Sequence, residues 1–165
     1  MSYDSSPATT YNILFVCTGN TCRSPLAEAL ARRELAERSW QHVQVASAGV
    51  AADDGWGASE GAISAGRRSG LDLLPHRSRF LTPELIEWAD LILGMEPSHL
   101  FAIDRLGGGE KAALLADFAA GDDEGRGRPV SDPYGGEDEV YQATMREIEQ
   151  LVHASLDRLA PILQP

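Results

Sequence analysis

The stretch Tyr11-Asn-Ile-Leu-Phe-Val-Cys-Thr-Gly-Asn-Thr-Cys-Arg-Ser-Pro25 constrains this chain more than any other. Its first six residues are a short apolar run rich in strand-favouring side chains, and the run stops at small and polar residues. Ser is a preferred helix N-cap and Pro is tolerated at the first helical position, so Ser24-Pro25 predicts a helix beginning at Ser24. Strand, loop and helix in that order put the loop from Cys17 to Arg23 over unpaired backbone N–H groups and the positive end of a helix dipole. Such a place attracts an anion, most naturally a phosphate. Cys17 and Arg23 bracket it.

The rest of the chain alternates strand and helix signals. Leu26, Leu30 and Leu35 make an approximate helical stripe, with Glu28 near the favourable N-terminal end, and predict a helix over Ser24 to Arg38. Val43 to Gly49 alternates apolar and polar residues before a glycine, as a strand does before a turn. Ala51 to Gly57 reads as a loop with Trp56 at its tip, and Ser59 to Arg68 as a helix stopped by Gly70, with irregular chain from Leu71 to Arg79. Thr82-Pro83 opens a short helix through Trp88, and Asp90 to Met95 is a buried strand. A helix from Pro97 ends at Gly107 to Gly109, and Ala112 to Ala116 is the fourth strand.

Gly121 to Gly136 is a long, partly acidic loop of the kind that often carries function. From Glu137 to Leu163 runs a core helix with Val140, Tyr141, Thr144, Ile148, Leu151, Val152, Ser155, Leu156 and Leu159 at helical spacing. The expected fold is therefore α/β: one domain over residues 11–165, with a parallel sheet covered by helices on both faces. Its ligand site would lie beyond the carboxyl ends of the strands, where the Cys17 loop sits.

A chain of 165 residues suffices for one real core. Residues 1–80 hold eight basic and eight acidic residues, whereas residues 81–165 hold six and seventeen, so the net charge of −11 arises in the second half. That balance disfavours nucleic acid and anionic membranes as partners, because both reward clustered Lys and Arg. Met1 to Thr10 has neither a basic start nor an apolar segment and reads as a polar tail, which with two cysteines in one loop points to the cytoplasm. Two thiols complete neither a disulfide framework nor a structural zinc site, so no metal or cofactor is expected.

A cysteine attacks as its thiolate, whose pKa falls at a helix N-terminus or beside cations, and Cys17 would have both influences. Arg23 is the natural phosphate ligand, its planar fork matching a pair of oxygens, while Gly19 lets the backbone approach and Ser24 can donate to the sulfur. Attack on phosphorus would leave a phosphocysteine for water to hydrolyse. A carboxyl group is then needed to protonate the leaving group and later deprotonate water. Asp132 is the best candidate: Pro133 keeps it out of the α region, and Gly135-Gly136 permit a turn that folds it over the pocket.

These pieces together resemble the low-molecular-weight protein phosphatase family. The resemblance is carried by Val16-Cys-Thr-Gly-Asn-Thr-Cys-Arg-Ser-Pro25, Ser47-Ala-Gly49 and Asp132-Pro-Tyr134, and it spans nearly the whole chain from Ile13. It implies a four-stranded parallel sheet, no metal, Cys17 as nucleophile, Arg23 as phosphate ligand and Asp132 as general acid. Thr18, Gly19, Asn20, Thr21, Cys22 and Ser24 would form the substrate-binding loop. Asn20, Ser47 and His76 match the family's supporting hydrogen bonds, and Tyr134 would wall the pocket. Cys22 matches a second loop cysteine that can trap an oxidised nucleophile as a reversible disulfide; as a buried small apolar residue it reads equally well.

Within the family, the tyrosine-specific branch resembles Cys-x-Gly-Asn-Ile-Cys-Arg, whereas Cys-Thr-Gly-Asn-Thr-Cys-Arg resembles the protein-arginine phosphatases. Thr21 is thus the expected specificity residue, its small side chain and hydroxyl suiting a planar phosphoguanidinium better than a phenyl ring. One departure is Ala51, where arginine-branch relatives often carry an aromatic residue, with Trp56 as its expected substitute. The expected function is hydrolysis of phosphoarginine in proteins, releasing inorganic phosphate, by a monomer. Hydrolysis of phosphotyrosine is the alternative, and arsenate reductase or a non-catalytic phosphate-binding module follow behind it. Arsenate reductases relay oxidation through further downstream cysteines, and none follows Cys22.

Overall fold

The computed structural model describes residues 10–163, so nearly all of the polar tail expected over Met1 to Thr10 lies outside the described residues. Four strands, β1 (Tyr11–Cys17), β2 (Val43–Gly49), β3 (Leu91–Gly94) and β4 (Ala112–Leu114), form one parallel sheet in the order β2-β1-β3-β4. Among the described residues, six α-helices pack around it: α1 (Arg23–Arg38), α2 (Glu60–Arg68), α3 (Pro83–Trp88), α4 (Pro97–Arg105), α5 (Leu115–Ala119) and α6 (Asp138–Leu163). Successive side chains of a strand point to opposite faces, and β1 feeds two cores. Ile13, Phe15 and Cys17 join Leu26 and Leu30 of α1 and Ile148 and Val152 of α6, while Leu14 and Val16 join Ile86 of α3 and Ile103 of α4. A strand buried on both faces reads as a continuous apolar run, which is what Ile13 to Val16 is.

The chain leaves β1 toward β2 through α1 and later returns to the other side of β1 as β3. This reversal opens a crevice beyond the strand ends, where open α/β sheets bind ligands. Gly49 ends β2 there, and a Cβ on it would stand 2.5 Å from Thr18 O and 2.9 Å from Asn20 N. Only glycine allows the two backbones to pack so closely.

Several boundaries depart from the sequence expectation. Helix α1 begins at Arg23 with Cys22 in the N-cap position, and no side chain caps it. Ser24 is engaged elsewhere, and Pro25 is still tolerated because an N–H at the third helical position has no intrahelical acceptor anyway. Strand β4 stops at Leu114, and Leu115 to Ala119 turn as a short helix whose first two residues, Leu115 and Ala116, the sequence reading gave to the strand. The Ala- and Leu-rich segment suits either state, and packing decides it. Val140 is exposed, off the buried stripe of α6 that carries Tyr141, Thr144, Met145 and Ile148. Ser59 and Thr82 do cap their helices, accepting from Ala62 N and Leu85 N.

Candidate active site

The loop between β1 and α1 lines a cavity of about 740 Å³ with Cys17, Thr18, Gly19, Thr21, Cys22 and Arg23. The segments Ala51–Ser59 and Asp132–Tyr134 contribute to its walls, including Ala51, Trp56, Asp132 and Tyr134. Trp56 and Tyr134 are 65% and 73% exposed, so both present aromatic faces at the mouth rather than filling a core.

Asn20 organises the loop from below. It adopts a left-handed φ of 56°, which asparagine tolerates better than most residues, and it is wholly buried. Its Nδ2 donates to Ser24 Oγ at 2.8 Å and Ser47 Oγ at 2.9 Å, its Oδ1 accepts from Arg79 N at 2.9 Å, and its carbonyl accepts from His76 Nε2 at 2.7 Å. Ser47 Oγ in turn donates to Glu28 Oε1 at 2.5 Å. Asn20, expected among the substrate-binding residues, therefore has no side-chain group left for a ligand. Ser47 and His76 brace it from β2 and from the irregular 71–79 segment. Ser24 also lies behind the cavity wall, with Oγ 2.8 Å from Cys17 Sγ.

Cys17 is 3% exposed, and its thiol is pulled in two directions. Burial pushes the pKa up and is the largest influence; the Ser24 hydroxyl, the backbone N–H of Ser24, Arg23 and the N–H of Asn20 pull it down, and the balance stands above the ordinary thiol value. The sequence expectation of a depressed thiol counted the helix N-terminus and the cation but not the desolvation.

Arg23 is almost completely buried, and its anchors could not be read from the motif. Nη1 donates to Glu96 Oε2 at 3.0 Å and to Val130 O at 2.9 Å, while Nη2 is 3.5 Å from Thr18 Oγ1 and 3.7 Å from Asp132 Oδ2. Burial pushes the Glu96 carboxyl up, but its bonds from Arg23 and Ser98 outweigh that and hold it below the usual carboxylate value. One terminal guanidinium nitrogen, Nη1, is thus tied to the fold, and the other, Nη2, is only loosely held beside the cavity. Asp132 accepts from Tyr134 N at 3.1 Å through its other oxygen, a local turn that fixes the carboxyl at the cavity rim. Thr21 Oγ1 faces the open side of Gly19, 3.7 Å from where a Cβ there would be, and lies 3.8 Å from Cys22 Sγ. Cys22 is buried, its sulfur 3.1 Å from Ser59 Oγ and 3.5 Å from Tyr141 OH.

A cysteine thiol, a guanidinium, backbone N–H groups at a helix start and an overhanging carboxyl in one cavity are the groups that nucleophilic attack on a bound oxyanion ester or amide requires. Residues 12–162 match the family model described as low molecular weight phosphotyrosine protein phosphatase. The chain belongs to that phosphatase family. The phosphatase is 41% identical over 156 residues to a protein-arginine-phosphatase of Geobacillus stearothermophilus, covering 93% of this chain and 97% of that one. It is also 41% identical over 143 residues to a protein-arginine-phosphatase of Bacillus subtilis, covering 86% and 91%. A solved YwlE arginine phosphatase, a cysteine-to-serine mutant with a phosphorylated active-site serine, superposes with a TM-score of 0.83 at 38% identity, covering 92% and 97%. No helix among the described residues is long and apolar enough to cross a membrane.

Three contributors to the phosphatase's site escaped the sequence reading: Glu96, Val130 through its carbonyl, and His99, whose Nε2 lies 2.9 Å from Thr18 Oγ1. Pro97 after Glu96 marked a helix start, which for a β3–α4 turn beyond a strand end was the one available signal.

Proposed function

We propose that this phosphatase hydrolyses phosphoarginine in proteins through a phosphocysteine at Cys17. In the first step the Cys17 thiolate attacks phosphorus, the S–P bond forms as the P–N bond breaks, and Asp132 gives its proton to the departing guanidino nitrogen. Loop N–H groups and Arg23 hold the charge on the phosphoryl oxygens throughout. In the second step Asp132 takes a proton from water, whose oxygen attacks phosphorus, and the S–P bond breaks to release inorganic phosphate and the thiolate. The observation that carries this reading is the single cavity shared by Cys17, Arg23 and Asp132, with the carboxylate oxygen 3.7 Å from the guanidinium.

The choice of phosphoarginine is supported by Thr21, whose hydroxyl borders the open space above Gly19, and by the names of the 41% identical relatives. Ala51 leaves one wall of the cavity small, and Trp56 supplies aromatic surface to its lining. Purified protein should hydrolyse phosphoarginine peptides with higher kcat/KM than matched phosphotyrosine peptides, and Thr21→Ile should shift the ratio toward phosphotyrosine by about tenfold or more. A wild-type preference for phosphotyrosine would overturn the assignment, and a ratio indifferent to Thr21→Ile would move specificity to the walls. Phosphotyrosine is the second reading, favoured by the exposed aromatic faces of Trp56 and Tyr134 at the mouth.

The same reading makes residues 11–165 one catalytic domain acting as a monomer on phosphorylated proteins, with neither nucleic acid nor membrane as partner. Free Cys17 and Cys22 suit a reducing cytoplasm.

A further inference from the structure

The turn from β3 into α4 sends one more side chain toward the cavity. His99 is fully buried, and its Nδ1 lies 3.1 Å from both Met95 N and Glu96 N. Backbone nitrogens only donate, so Nδ1 carries no proton, and the neutral imidazole holds its proton on Nε2. Nε2 is 2.9 Å from Thr18 Oγ1, against 3.8 Å from Glu96 Oε1, so that proton goes to Thr18. Burial first and Arg23 second hold the imidazole's pKa at about 4, against the upward pull of Glu96 and Asp132, and the same tautomer serves at neutral pH.

Thr18 Oγ1 therefore accepts a hydrogen bond from His99 Nε2–H and faces a second donor, Arg23 Nη2, at 3.5 Å. A hydroxyl has two acceptor lone pairs and one proton to give. With both lone pairs turned to donors, the proton is left over, and among the described residues no acceptor for it lies within hydrogen-bond distance. Thr18 is exposed and lines the cavity beside Arg23. Were Nε2 unprotonated, Thr18 would donate to it and turn lone pairs toward an incoming anion.

We propose that His99 is a positioning residue that makes the Thr18 hydroxyl a hydrogen-bond donor to the phosphoryl group held by Arg23. This rests on the reading of the cavity as a phosphoryl site. The histidine never touches substrate; it acts by occupying the lone pair that would otherwise repel it.

The test measures inhibition of the full chain by inorganic phosphate, with p-nitrophenyl phosphate as substrate, in Thr18→Val, Thr18→Ser, His99→Asn and the Thr18→Val/His99→Asn double variant. Asparagine places its side-chain oxygen about where Nδ1 stands, so it still accepts from Met95 and Glu96 while no donor reaches Thr18. Thr18→Val should raise the phosphate Ki about tenfold or more, Thr18→Ser should stay within about twofold, and His99→Asn should raise it several-fold. In the double variant, His99→Asn should add nothing to Thr18→Val, because its effect passes through the hydroxyl. An unchanged Ki in Thr18→Val, or a serine variant as weak as valine, overturns the proposal. Full additivity in the double variant overturns the role of His99. Wild-type protein that binds no phosphate at all would instead sink the phosphoryl site itself.

Discussion

Replacing Ser24 by alanine isolates one force on the Cys17 thiol. Burial, the largest influence, raises the thiol's pKa and is nearly unchanged by removing one hydroxyl, while the Ser24 Oγ contact at 2.8 Å is the first of the influences that lower it. A hydrogen bond to a charged group contributes about 1.5–3 kcal/mol, and each pKa unit corresponds to about 1.4 kcal/mol. Ser24→Ala should therefore raise the Cys17 pKa further by about one to two units. Asn20 keeps Ser47 as an acceptor for Nδ2, and the N–H groups of Ser24 and Asn20 and the Arg23 charge still act on the sulfur, so the loop retains its other supports. The assay is the rate of iodoacetamide alkylation of Cys17 against pH, followed by mass spectrometry of the Cys17 peptide so that Cys22 does not contribute. Below the midpoint, thiolate and rate fall about tenfold per unit of pKa. The variant should thus react about ten- to a hundredfold more slowly near neutral pH, and phosphatase kcat/KM should fall in parallel. A midpoint within about 0.3 unit of wild type, or one shifted downward, would refute the assignment of Ser24 as a stabiliser of the thiolate.

Asn20→Ala removes three buried side-chain hydrogen bonds, orphans Arg79 N–H and puts alanine at φ 56°, so urea unfolding should report a loss of roughly 3–5 kcal/mol; Asn20→Gly should recover about 1 kcal/mol by relieving the backbone. Glu96→Gln should weaken the hold on Arg23 and lower kcat/KM by tenfold or so. Because folding lowers the Glu96 pKa below 4.5, its pair contributes stability above that value and loses it as pH falls through the lower folded value. The wild-type advantage in Tm over Glu96→Gln should accordingly shrink in acid, and a constant difference from pH 7 down to pH ~3 would contradict the pairing. Asp132→Asn should slow phosphocysteine formation from phosphoarginine peptides by about 10²–10⁴-fold and from p-nitrophenyl phosphate by much less, since nitrophenolate leaves without a proton, while the hydrolytic step that follows slows equally for both; equal losses in the formation step, read by rapid quench, would deny Asp132 the role of acid.

The strand, loop and helix from Tyr11 to Arg38 were legible because each depends on neighbours in sequence: an apolar run, small loop residues, and helix formers after a proline. The parallel sheet followed from alternating strand and helix signals, and the caps Ser59 and Thr82 from the first turns that they serve. Cys17, Arg23 and Asp132 stood out as residue types suited to one chemistry. Tertiary structure alone decided what surrounds them. Glu96 and the Val130 carbonyl meet Arg23 across 73 and 107 residues of chain, and His99 meets Thr18 across 81. Ser24 looked like a helix cap because a serine before a proline usually is one; in the fold its hydroxyl lies between Cys17 and Asn20, and Cys22 takes the cap position. The thiol's pKa escaped for the same reason, since desolvation is set by everything that packs around Cys17. Local backbone preference is written residue by residue along the chain. Burial and the pairing of buried polar groups are properties of which distant segments the sheet brings to one strand end, so the sequence named the candidate reacting groups and only the fold determined their partners and the forces on their charge.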